Sequence, residues 1–290
     1  MMRTMLFLPG NNPNMLINGA ALGSDAVIFD LEDAVSPDEK DSARILVSHV
    51  LRTLDFSNVR TIIRINSLGT PYWERDVEDM LPLRPDMIMP TKVTDAGYVK
   101  QLVAKMETVE KAHAIDKKAE LIPLIENALG LENAFQIAGA DERLTAIYLG
   151  AEDLTADLRC PRTKMGAEIA YARGRIVCAA RAAGKEVFDT PFTDVEDLDA
   201  LRADTQYARS LGFTGKAVIS PRHVDIVNEA FTPSEAEIDY AHQVFEAITE
   251  AREQGKGAIS LNGKMIDAPI VARARTVLDA AKAYAGGRTL

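Results

Sequence analysis

Residues 26–31 of this 290-residue chain, AVIFDL, form a short β-rich run, and a helical stretch separates them from a second run, TIIRI, at residues 61–65. The same alternation continues along the chain, and each stretch between two runs is long enough for one helix with its loops. The eight predicted strands are Thr4–Leu8, Ala26–Leu31, Thr61–Ile65, Met87–Met89, Glu120–Ile125, Thr145–Leu149, Glu186–Asp189 and Lys216–Ile219.

A strand–helix unit repeated eight times favours a (β/α)8, or TIM, barrel over a doubly wound open sheet, which is the main alternative. Eight units within about 230 residues also match the usual size of such a barrel. We therefore predict an α/β protein in which residues 1–231 form a (β/α)8 barrel that carries the catalytic residues.

The pattern changes after the eighth predicted strand. Thr232-Pro233-Ser234-Glu235 predicts an N-cap at Thr232 and a helix that runs to about Gln254. Asn262-Gly263 predicts a tight turn between two apolar runs, and a last helix is expected over residues 268–284. We predict that residues 232–290 form a C-terminal helical arm or lid beside the barrel.

Composition excludes several classes of protein. Apolar residues make up 47% of the chain, which is too many for a mainly disordered protein. The net charge of −10 argues against binding to nucleic acid or to an anionic membrane, since both require clustered positive charge. No apolar run approaches the ~20 residues that a membrane-spanning helix needs.

The cysteines and the first residues indicate a compartment. The spacing of Cys160 and Cys178 fits neither a CxxC redox pair nor a zinc ribbon, which favours a reducing environment. The opening MMRTMLFLPG contains too short an apolar stretch for a signal peptide. We expect a cytoplasmic protein with no nucleic-acid or membrane partner.

Acidic residues dominate the predicted C-terminal ends of the strands, where a parallel barrel has its active site. Glu126 and Asp153 follow adjacent predicted strands, which lie only ~5 Å apart in a sheet. Such a pair suits Mg²⁺, which binds one or two carboxylates together with waters and substrate oxygens. The structural alternative is that each acid caps or begins the next helix. For the two residues together we favour the metal site.

Arg64 lies inside the apolar strand TIIRINS, where an arginine is costly unless it is paired. A structural pair with Asp30 or Glu32 and the capture of a substrate carboxylate are equally good explanations. Asp30, Glu32 and Asp33 follow the second strand, and they would hold Arg64 or metal-bound waters, or begin a helix.

Two further residues have a functional and a structural interpretation. Lys92 is a candidate Schiff-base lysine, but its place just after a strand predicts a solvated side chain. Asp267 precedes Ala268-Pro269 and predicts an N-cap for the last helix. A catalytic role for Asp267 would require the arm to reach the mouth of its own or a neighbouring barrel.

Six segments resemble, in order along the chain, the citrate lyase β-subunit family, whose relatives include malyl-CoA, citramalyl-CoA and β-methylmalyl-CoA lyases. The segments are MLFLPGNNPNM (5–15), AVIFDLEDAVSPDEKDSAR (26–44), IIRIN (62–66), LGAEDL (149–154), LGFTGKAVISPRH (211–223) and ISLNGKMIDAP (259–269). The ordered set is specific to the family, and the resemblance covers about residues 3–285.

The resemblance implies a Mg²⁺-dependent (β/α)8 carbon–carbon lyase and a role for four residues. Arg64 matches the arginine that binds the keto-acid carboxylate, and Glu126 matches the glutamate that binds Mg²⁺ and contacts substrate. Asp153 matches the Mg²⁺-binding aspartate of the GAED motif. Asp267 matches the aspartate that, in the thioester lyases, enters a neighbouring subunit's site as acid/base.

These assignments predict cleavage of a citryl thioester, carried by CoA or by an acyl carrier protein, to oxaloacetate and an acetyl thioester. Two alternatives stay open: a free-standing malyl-CoA, citramalyl-CoA or methylmalyl-CoA lyase, and a non-catalytic keto-acid-binding subunit. The resemblance also implies a homotrimer or hexamer, or a larger complex with an acyl carrier protein and the citrate lyase α subunit.

Two segments depart from the family pattern. The family usually has Leu-Pro-Lys after the fourth strand, whereas this chain reads Met89-Pro90-Thr91-Lys92. After the eighth strand the usual His-Pro or Asn-Pro is replaced by Ser220-Pro221, followed by Arg222-His223. Both departures concern the thioester side of the substrate more than the metal site.

Overall fold

The computed structural model describes residues 2–253, 260–261 and 263–285. The chain divides into two compact units, Met2–Asn228 and a C-terminal unit that begins at Glu229. The strands of the first unit are β1 (Thr4–Pro9), β2 (Ala26–Asp30), β3 (Arg60–Ile65), β4 (Met87–Pro90), β5 (Glu120–Leu121), β6 (Leu124–Ile125), β7 (Ala146–Leu149), β8 (Glu186–Asp189) and β9 (Gly215–Val218).

All pairings within this sheet are parallel, and its order is β5-β4-β3-β2-β1-β9-β8-β7-β6. The two outermost strands, β5 and β6, are consecutive halves of the predicted fifth strand. Pro123 has no N–H to donate and interrupts the strand ladder. Ile122 N still donates to Ile88 O at 3.0 Å, and Pro123 O accepts from Tyr148 N at 3.0 Å. The split strand thus joins both edges of the sheet and confirms the predicted (β/α)8 architecture.

Helices follow the strands along the chain. They are α1 (Pro13–Asn18), α2 (Lys40–Thr53), α3 (Trp73–Met80), α4 (Ala96–Ala112), α5 (Ala128–Glu132), α6 (Ala134–Ala138), α7 (Ala151–Asp157), α8 (Ala170–Ala182), α9 (Leu198–Leu211) and α10 (Val224–Phe231). Side chains supply several N-caps, as at Asp95, whose carboxylate accepts from Tyr98 N at 3.0 Å. In the described part of the chain, no helix is both long and apolar enough to span a bilayer.

The side chains of the strands alternate between two environments, as the period of two requires. One set forms a buried cluster that includes Met5, Ile28, Ile62, Tyr148 and Phe188. Further along these strands the same alternation places polar side chains on the cluster's face: Arg64 lies two residues after Ile62. The apolar barrel interior therefore ends in a polar layer at the C-terminal ends of the strands.

The other face of β8 and β9 carries a buried ion network. The side chains of Arg173, Asp189 and Lys216 are 0% exposed, and the Asp204 side chain is 8% exposed. Arg173 donates to Asp189 through Nε and NH2 at 3.0 and 2.8 Å, and Lys216 Nζ lies 2.6 Å from Asp189 Oδ2. Asp204 also accepts from both cations, so β8, β9, α8 and α9 are joined by paired charges.

The C-terminal unit contains α11 (Glu235–Glu253), α12 (Ala268–Ala285) and the antiparallel strands β10 (Ser260–Leu261) and β11 (Lys264–Met265). Ala241, Val244, Ile266 and Ala274 form the centre of its own apolar core. Gly263 has the positive φ of 75° that a tight turn between two strands favours. The predicted helix end at Gln254 and the predicted turn residue Asn262 lie outside the described residues.

The predicted N-cap at Thr232 is wrong. Thr232 N donates to Glu229 O at 3.2 Å, so Thr232 belongs to the end of the preceding turn. Ser234 and Glu237 form the capping box instead: Ser234 Oγ accepts from Glu237 N at 3.3 Å, and Glu237 Oε2 accepts from Ser234 N at 2.8 Å. Thr232 and Glu235 have the same i, i+3 spacing as Ser234 and Glu237, so the spacing of the sequence motif alone does not distinguish the two capping boxes.

The buried ion network predicts a large stability effect at Asp189. Asp189→Asn removes the negative charge that Arg173 and Lys216 share, and we expect the free energy of unfolding to fall by about 3–5 kcal/mol. The control is Glu186→Gln on the same strand, whose pair with Arg181 is nearly half exposed and contributes less than about 1 kcal/mol. Urea denaturation followed by circular dichroism measures both, and equal losses would contradict the prediction.

Candidate active site

A cavity of about 350 Å³ lies at the C-terminal ends of the barrel strands. One part of its wall is charged and comprises Asp30, Asp33, Arg64, Glu126, Glu152 and Asp153. Another part is apolar and comprises Phe7, Pro9, Met15, Leu124, Pro191 and Ile219. The cavity can therefore hold a ligand that has one anionic and one less polar half.

Arg64 extends from β3 into the cavity and is held by the acidic residues of β2 and its loop. Its backbone pairs with Asp30 in the parallel register, and its Nε and NH2 donate to the two Asp30 oxygens at 2.7 and 2.5 Å. Arg64 NH1 lies 3.2 Å from Glu32 Oε2, and the guanidinium stacks over Phe7 at 5.0 Å. Burial disfavours its charge, but Asp30 and Glu32 outweigh burial and raise the pKa of Arg64. The structural pair proposed from sequence is present.

The sequence DLED explains how the two acids turn towards Arg64. Asp30 Oδ1 accepts from Glu32 N at 2.8 Å, so the first acid fixes the backbone of the second. The buried Lys40 ammonium donates to Leu31 O and Glu32 O at 2.8 and 2.7 Å. Burial raises the pKa of Glu32 despite the nearby Arg64. Asp33, in contrast, is 58% exposed and is a rim residue.

Glu126 follows β6 and is only 4% exposed. Its Oε1 accepts from Lys92 N at 2.7 Å, and among the described residues no second group donates to its carboxylate. Burial, followed by the charges of Asp153 and Glu32, raises the pKa of Glu126 to about 8. The N-cap of α5 is Asn127, whose side chain accepts from Gly130 N, so Glu126 does not cap the helix. A buried carboxylate with this little hydrogen bonding is suited to binding a cation.

Asp153 lies in the first turn of α7, which follows β7, and β7 pairs with β6, the strand that Glu126 follows. Its position fits both sequence interpretations, because a first-turn acid is stabilised by the helix dipole and can still bind a cation. Thr190 Oγ1 accepts from Ala151 N at 3.2 Å and fixes the beginning of this helix. The Asp153 side chain is 37% exposed and faces the Lys92 ammonium at 3.1 Å.

Gly150 lies between β7 and α7 beside Glu126, and only glycine fits there. A Cβ at Gly150 would lie 2.7 Å from Glu126 Cβ and 2.9 Å from Glu126 Oε2. Contacts this short do not occur without displacement of the neighbouring group. The glycine therefore provides the space that the Glu126 carboxylate occupies.

Lys92 is partly solvated, as expected, with a side chain that is 42% exposed, but it is also ion-paired. Lys92 Nζ lies 2.5 Å from Glu32 Oε1 as well as close to Asp153, and the hydrogen bond to Glu32 keeps its pKa raised in spite of partial burial. Its backbone has a left-handed φ of 55°, which no sequence pattern around residues 90–93 signals. Sequence reasoning also missed Tyr148 as a wall residue, although the alternation in AIYL places it beside Arg64 and Glu126.

The other predicted residues lie elsewhere. Asp267 belongs to the C-terminal unit, where its Oδ1 accepts from Ile270 N at 3.2 Å, which confirms it as the N-cap of α12. The Asp267 residue is exposed, and its catalytic role stays a prediction. Arg222 pairs with Glu196 at 2.6 Å and His223 is buried beside Val195 O, so neither residue lines the cavity.

The donor set fits a hard divalent cation. Among residues 2–253, 260–261 and 263–285, no group of three or more His, Cys, Asp or Glu side chains is arranged to hold a metal. A two-carboxylate site suits Mg²⁺, which retains waters and takes further oxygens from the substrate, better than Zn²⁺, which requires three or four protein ligands. Glu126 and Asp153, the pair predicted from the sequence for this role, both line the cavity.

Residues 3–221 match the family described as HpcH/HpaI aldolase/citrate lyase. The chain belongs to this family. It is 43% identical over 282 residues to the citrate lyase subunit beta of Leuconostoc mesenteroides subsp. cremoris, and the match covers 97% of this chain and 93% of that protein. It is 33% identical to the L-malyl-CoA/beta-methylmalyl-CoA lyase of Cereibacter sphaeroides, over 95% of this chain and 93% of the relative.

A solved structure supports the fold over nearly the whole chain. It is that of CitE from Mycobacterium tuberculosis in complex with magnesium, acetoacetate and coenzyme A. It is 30% identical to this chain, with a TM-score of 0.80, and the match covers 97% of this chain and 98% of that one.

The space beside Glu126 gives a prediction for this member of the HpcH/HpaI family. Gly150→Ala forces the Glu126 carboxylate to move, and we expect divalent-cation affinity to fall roughly tenfold or more, since overpacking costs about 1–3 kcal/mol. Isothermal titration calorimetry measures the affinity. The control is Gly174→Ala in α8, where an added Cβ meets nothing within 4 Å. Unchanged affinity in Gly150→Ala would show that Glu126 does not need this space.

Proposed function

We propose that this chain is a Mg²⁺-dependent carbon–carbon lyase that cleaves a citryl thioester to oxaloacetate and an acetyl thioester. The observation that carries the proposal is that Glu126, Asp153 and Arg64 line the same cavity. The 43% identity to a citrate lyase subunit beta supports this substrate. Arg64, together with a dication held by Glu126 and Asp153, would suit a substrate that is itself a polyanion.

Glu126 and Asp153 would hold the Mg²⁺ ion. Bound there, Mg²⁺ acts as a Lewis acid for the hydroxyl and carboxylate oxygens of the keto-acid half of the substrate. We expect Glu126 to be the stronger determinant of the two, because it is buried and, among the described residues, its carboxylate accepts one hydrogen bond, from Lys92 N. The related CitE of Mycobacterium tuberculosis was solved with magnesium, which supports the choice of ion.

Arg64 would bind a carboxylate of the substrate and fix its orientation. A guanidinium has five N–H donors, and Asp30 and Glu32 engage three of its nitrogen atoms through one contact each. The second N–H groups of NH1 and NH2 remain for the ligand. Because Asp30 and Glu32 hold the guanidinium rigidly, little side-chain entropy is lost when the carboxylate binds.

The reaction then needs two proton movements. Loss of the proton from the substrate hydroxyl allows that oxygen to become the carbonyl of oxaloacetate as the carbon–carbon bond breaks. The bonding electrons form the enolate of the acetyl thioester, and its carbon must take up a proton. We assign this proton to Asp267 of a neighbouring subunit, as acid in cleavage and base in the reverse direction.

The malyl-CoA type of lyase is the second candidate, because the chain is 33% identical to an L-malyl-CoA/beta-methylmalyl-CoA lyase. Both substrates offer a hydroxy acid to the charged wall and a thioester to the apolar wall. They differ in the additional carboxymethyl group of citrate, which requires another cationic or polar partner. The relative rates with citryl and malyl thioesters therefore decide between the two candidates.

We further propose that the protein works as a cytoplasmic homo-oligomer, a trimer or hexamer, or within a complex that includes an acyl carrier protein and an α subunit. Large apolar side chains on neighbouring helices support an interface: Leu129, Phe135 and Tyr171 are 58%, 51% and 63% exposed. The Tyr171 hydroxyl donates to Glu132 at 3.0 Å, which joins α8 to α5 on this surface. Both cysteines are free thiols, in keeping with a reducing compartment.

Oxaloacetate release from citryl-CoA tests the proposed reaction. With Mg²⁺ we expect release, measured by NADH consumption with malate dehydrogenase, and with EDTA or in Glu126→Gln we expect its loss. Glu142→Gln, an acid-to-amide change at an exposed residue outside the cavity, is the control. Release that is unaffected by EDTA would contradict the metal role. Cleavage of malyl-CoA but not of citryl-CoA would establish the second candidate.

Asp267 gives a separate prediction. We expect Asp267→Asn to retain Mg²⁺ and oxaloacetate binding by calorimetry but to lose most of its kcat, since an amide cannot supply the proton and can still accept the bond from Ile270 N. The matched control is Asp279→Asn, an exposed acid on α12. Full turnover in Asp267→Asn would remove Asp267 from the mechanism.

A further inference from the structure

Lys92 connects the proposed metal ligands through both its backbone and its side chain. Its N–H donates to Glu126 Oε1 at 2.7 Å, and its Nζ lies 3.1 Å from Asp153 Oδ2. The same ammonium bonds Glu32 Oε1 and lies 3.6 Å from Asp33 Oδ1. Lys92 therefore contacts all four of these acids, although neither the proposed metal site nor the proposed reaction gives it a role.

The backbone at Lys92 is held in a conformation that a lysine rarely adopts. Its φ of 55° is in the left-handed region, which persists at a residue other than glycine only where surrounding contacts impose it. Those contacts are present: Tyr98 OH donates to Thr91 O at 2.6 Å, and Thr91 Oγ1 donates to Ile65 O at 3.2 Å. The loop thus presents the Lys92 N–H to Glu126 and directs its side chain to the other acids.

The charges around the cavity are unequal in number. The acids beside Arg64 and Lys92 outnumber these two cations, and they are Asp30, Glu32, Asp33, Glu126 and Asp153. Arg64 is committed to Asp30 by two short hydrogen bonds. Lys92 is instead divided between Glu32 and Asp153, and a dication would add positive charge where acids outnumber cations.

We propose that Lys92 is a shared counter-ion that competes with the metal for Asp153. Without metal, the ammonium bridges Glu32 and Asp153 and limits the repulsion between the acids. When a divalent cation binds Glu126 and Asp153, Lys92 leaves Asp153 and stays paired with Glu32. Each carboxylate then has its own cationic partner, and Lys92 sets the metal affinity. This inference rests on the proposed metal site.

The test compares the metal affinity of three variants at one position. Lys92→Met keeps the length of the side chain and the backbone N–H but removes the competing charge, so we expect Mg²⁺ to bind roughly tenfold more tightly. Lys92→Arg keeps the charge, and its affinity is expected to stay near that of the wild type. Lys100→Met, on the exposed face of α4, is the matched control. Calorimetry with Mg²⁺ and electron paramagnetic resonance with Mn²⁺ measure the affinities without any turnover.

The outcomes separate the inference from the proposed function. Mg²⁺ affinity that is unchanged or weaker in Lys92→Met would overturn the inference, provided that circular dichroism shows a folded protein. Where Lys92→Met does not fold, Lys92→Gln makes the same comparison. Wild-type Mg²⁺ binding that survives Glu126→Gln unchanged would overturn the proposed metal site, and the inference with it. A normal loss in Glu126→Gln without tightening in Lys92→Met overturns the inference alone.

Discussion

The pair between Arg64 and Asp30 is the interaction on which the remainder of the site depends. A guanidinium on the interior face of a packed barrel is tolerated only with a carboxylate that matches both of its donor directions. The parallel register of β2 and β3 places Asp30 directly beside Arg64, so the pair follows from the strand alignment itself. Once these two charges are balanced, the loop after β2 can bring Glu32 into the same buried region.

Strands β8 and β9 also carry buried charges that must be paired, on the face that points away from the apolar cluster. Asp189 points outward to Arg173 and Lys216, whereas the next residue, Thr190, lines the cavity and bonds Ala151 N. A buried ion pair contributes more to a unique arrangement than to net stability, because its desolvation is costly. Here that arrangement fixes the strand end from which Thr190 holds α7, and through α7 the position of Asp153.

Much of this architecture was predictable from the sequence, because burial imposes strong patterns. The eight β-rich runs became the barrel, and Arg64, Glu126 and Asp153 were placed together because parallel strands bring their C-terminal ends to one edge. Details that depend on loop conformation were not predictable. The left-handed backbone at position 92 is occupied by a lysine, not by the glycine or asparagine that usually indicates this conformation. The orientation of the Lys92 side chain follows from that backbone. The choice between two overlapping capping boxes at residues 232–237 likewise depends on where the preceding turn ends.

Gly150, which follows β7, restricts which residues of the cavity can change during evolution. Because Glu126 occupies the space that any side chain at position 150 would need, mutation at that position cannot tune substrate preference without displacing Glu126, the proposed cation ligand. Adaptation to acids of different bulk is therefore expected at apolar wall residues, such as Met15, Pro191 and Ile219. The contact between Gly150 and Glu126 thus restricts evolutionary change in one part of the cavity. The uncharged wall is free to vary, and we expect new specificities to arise there.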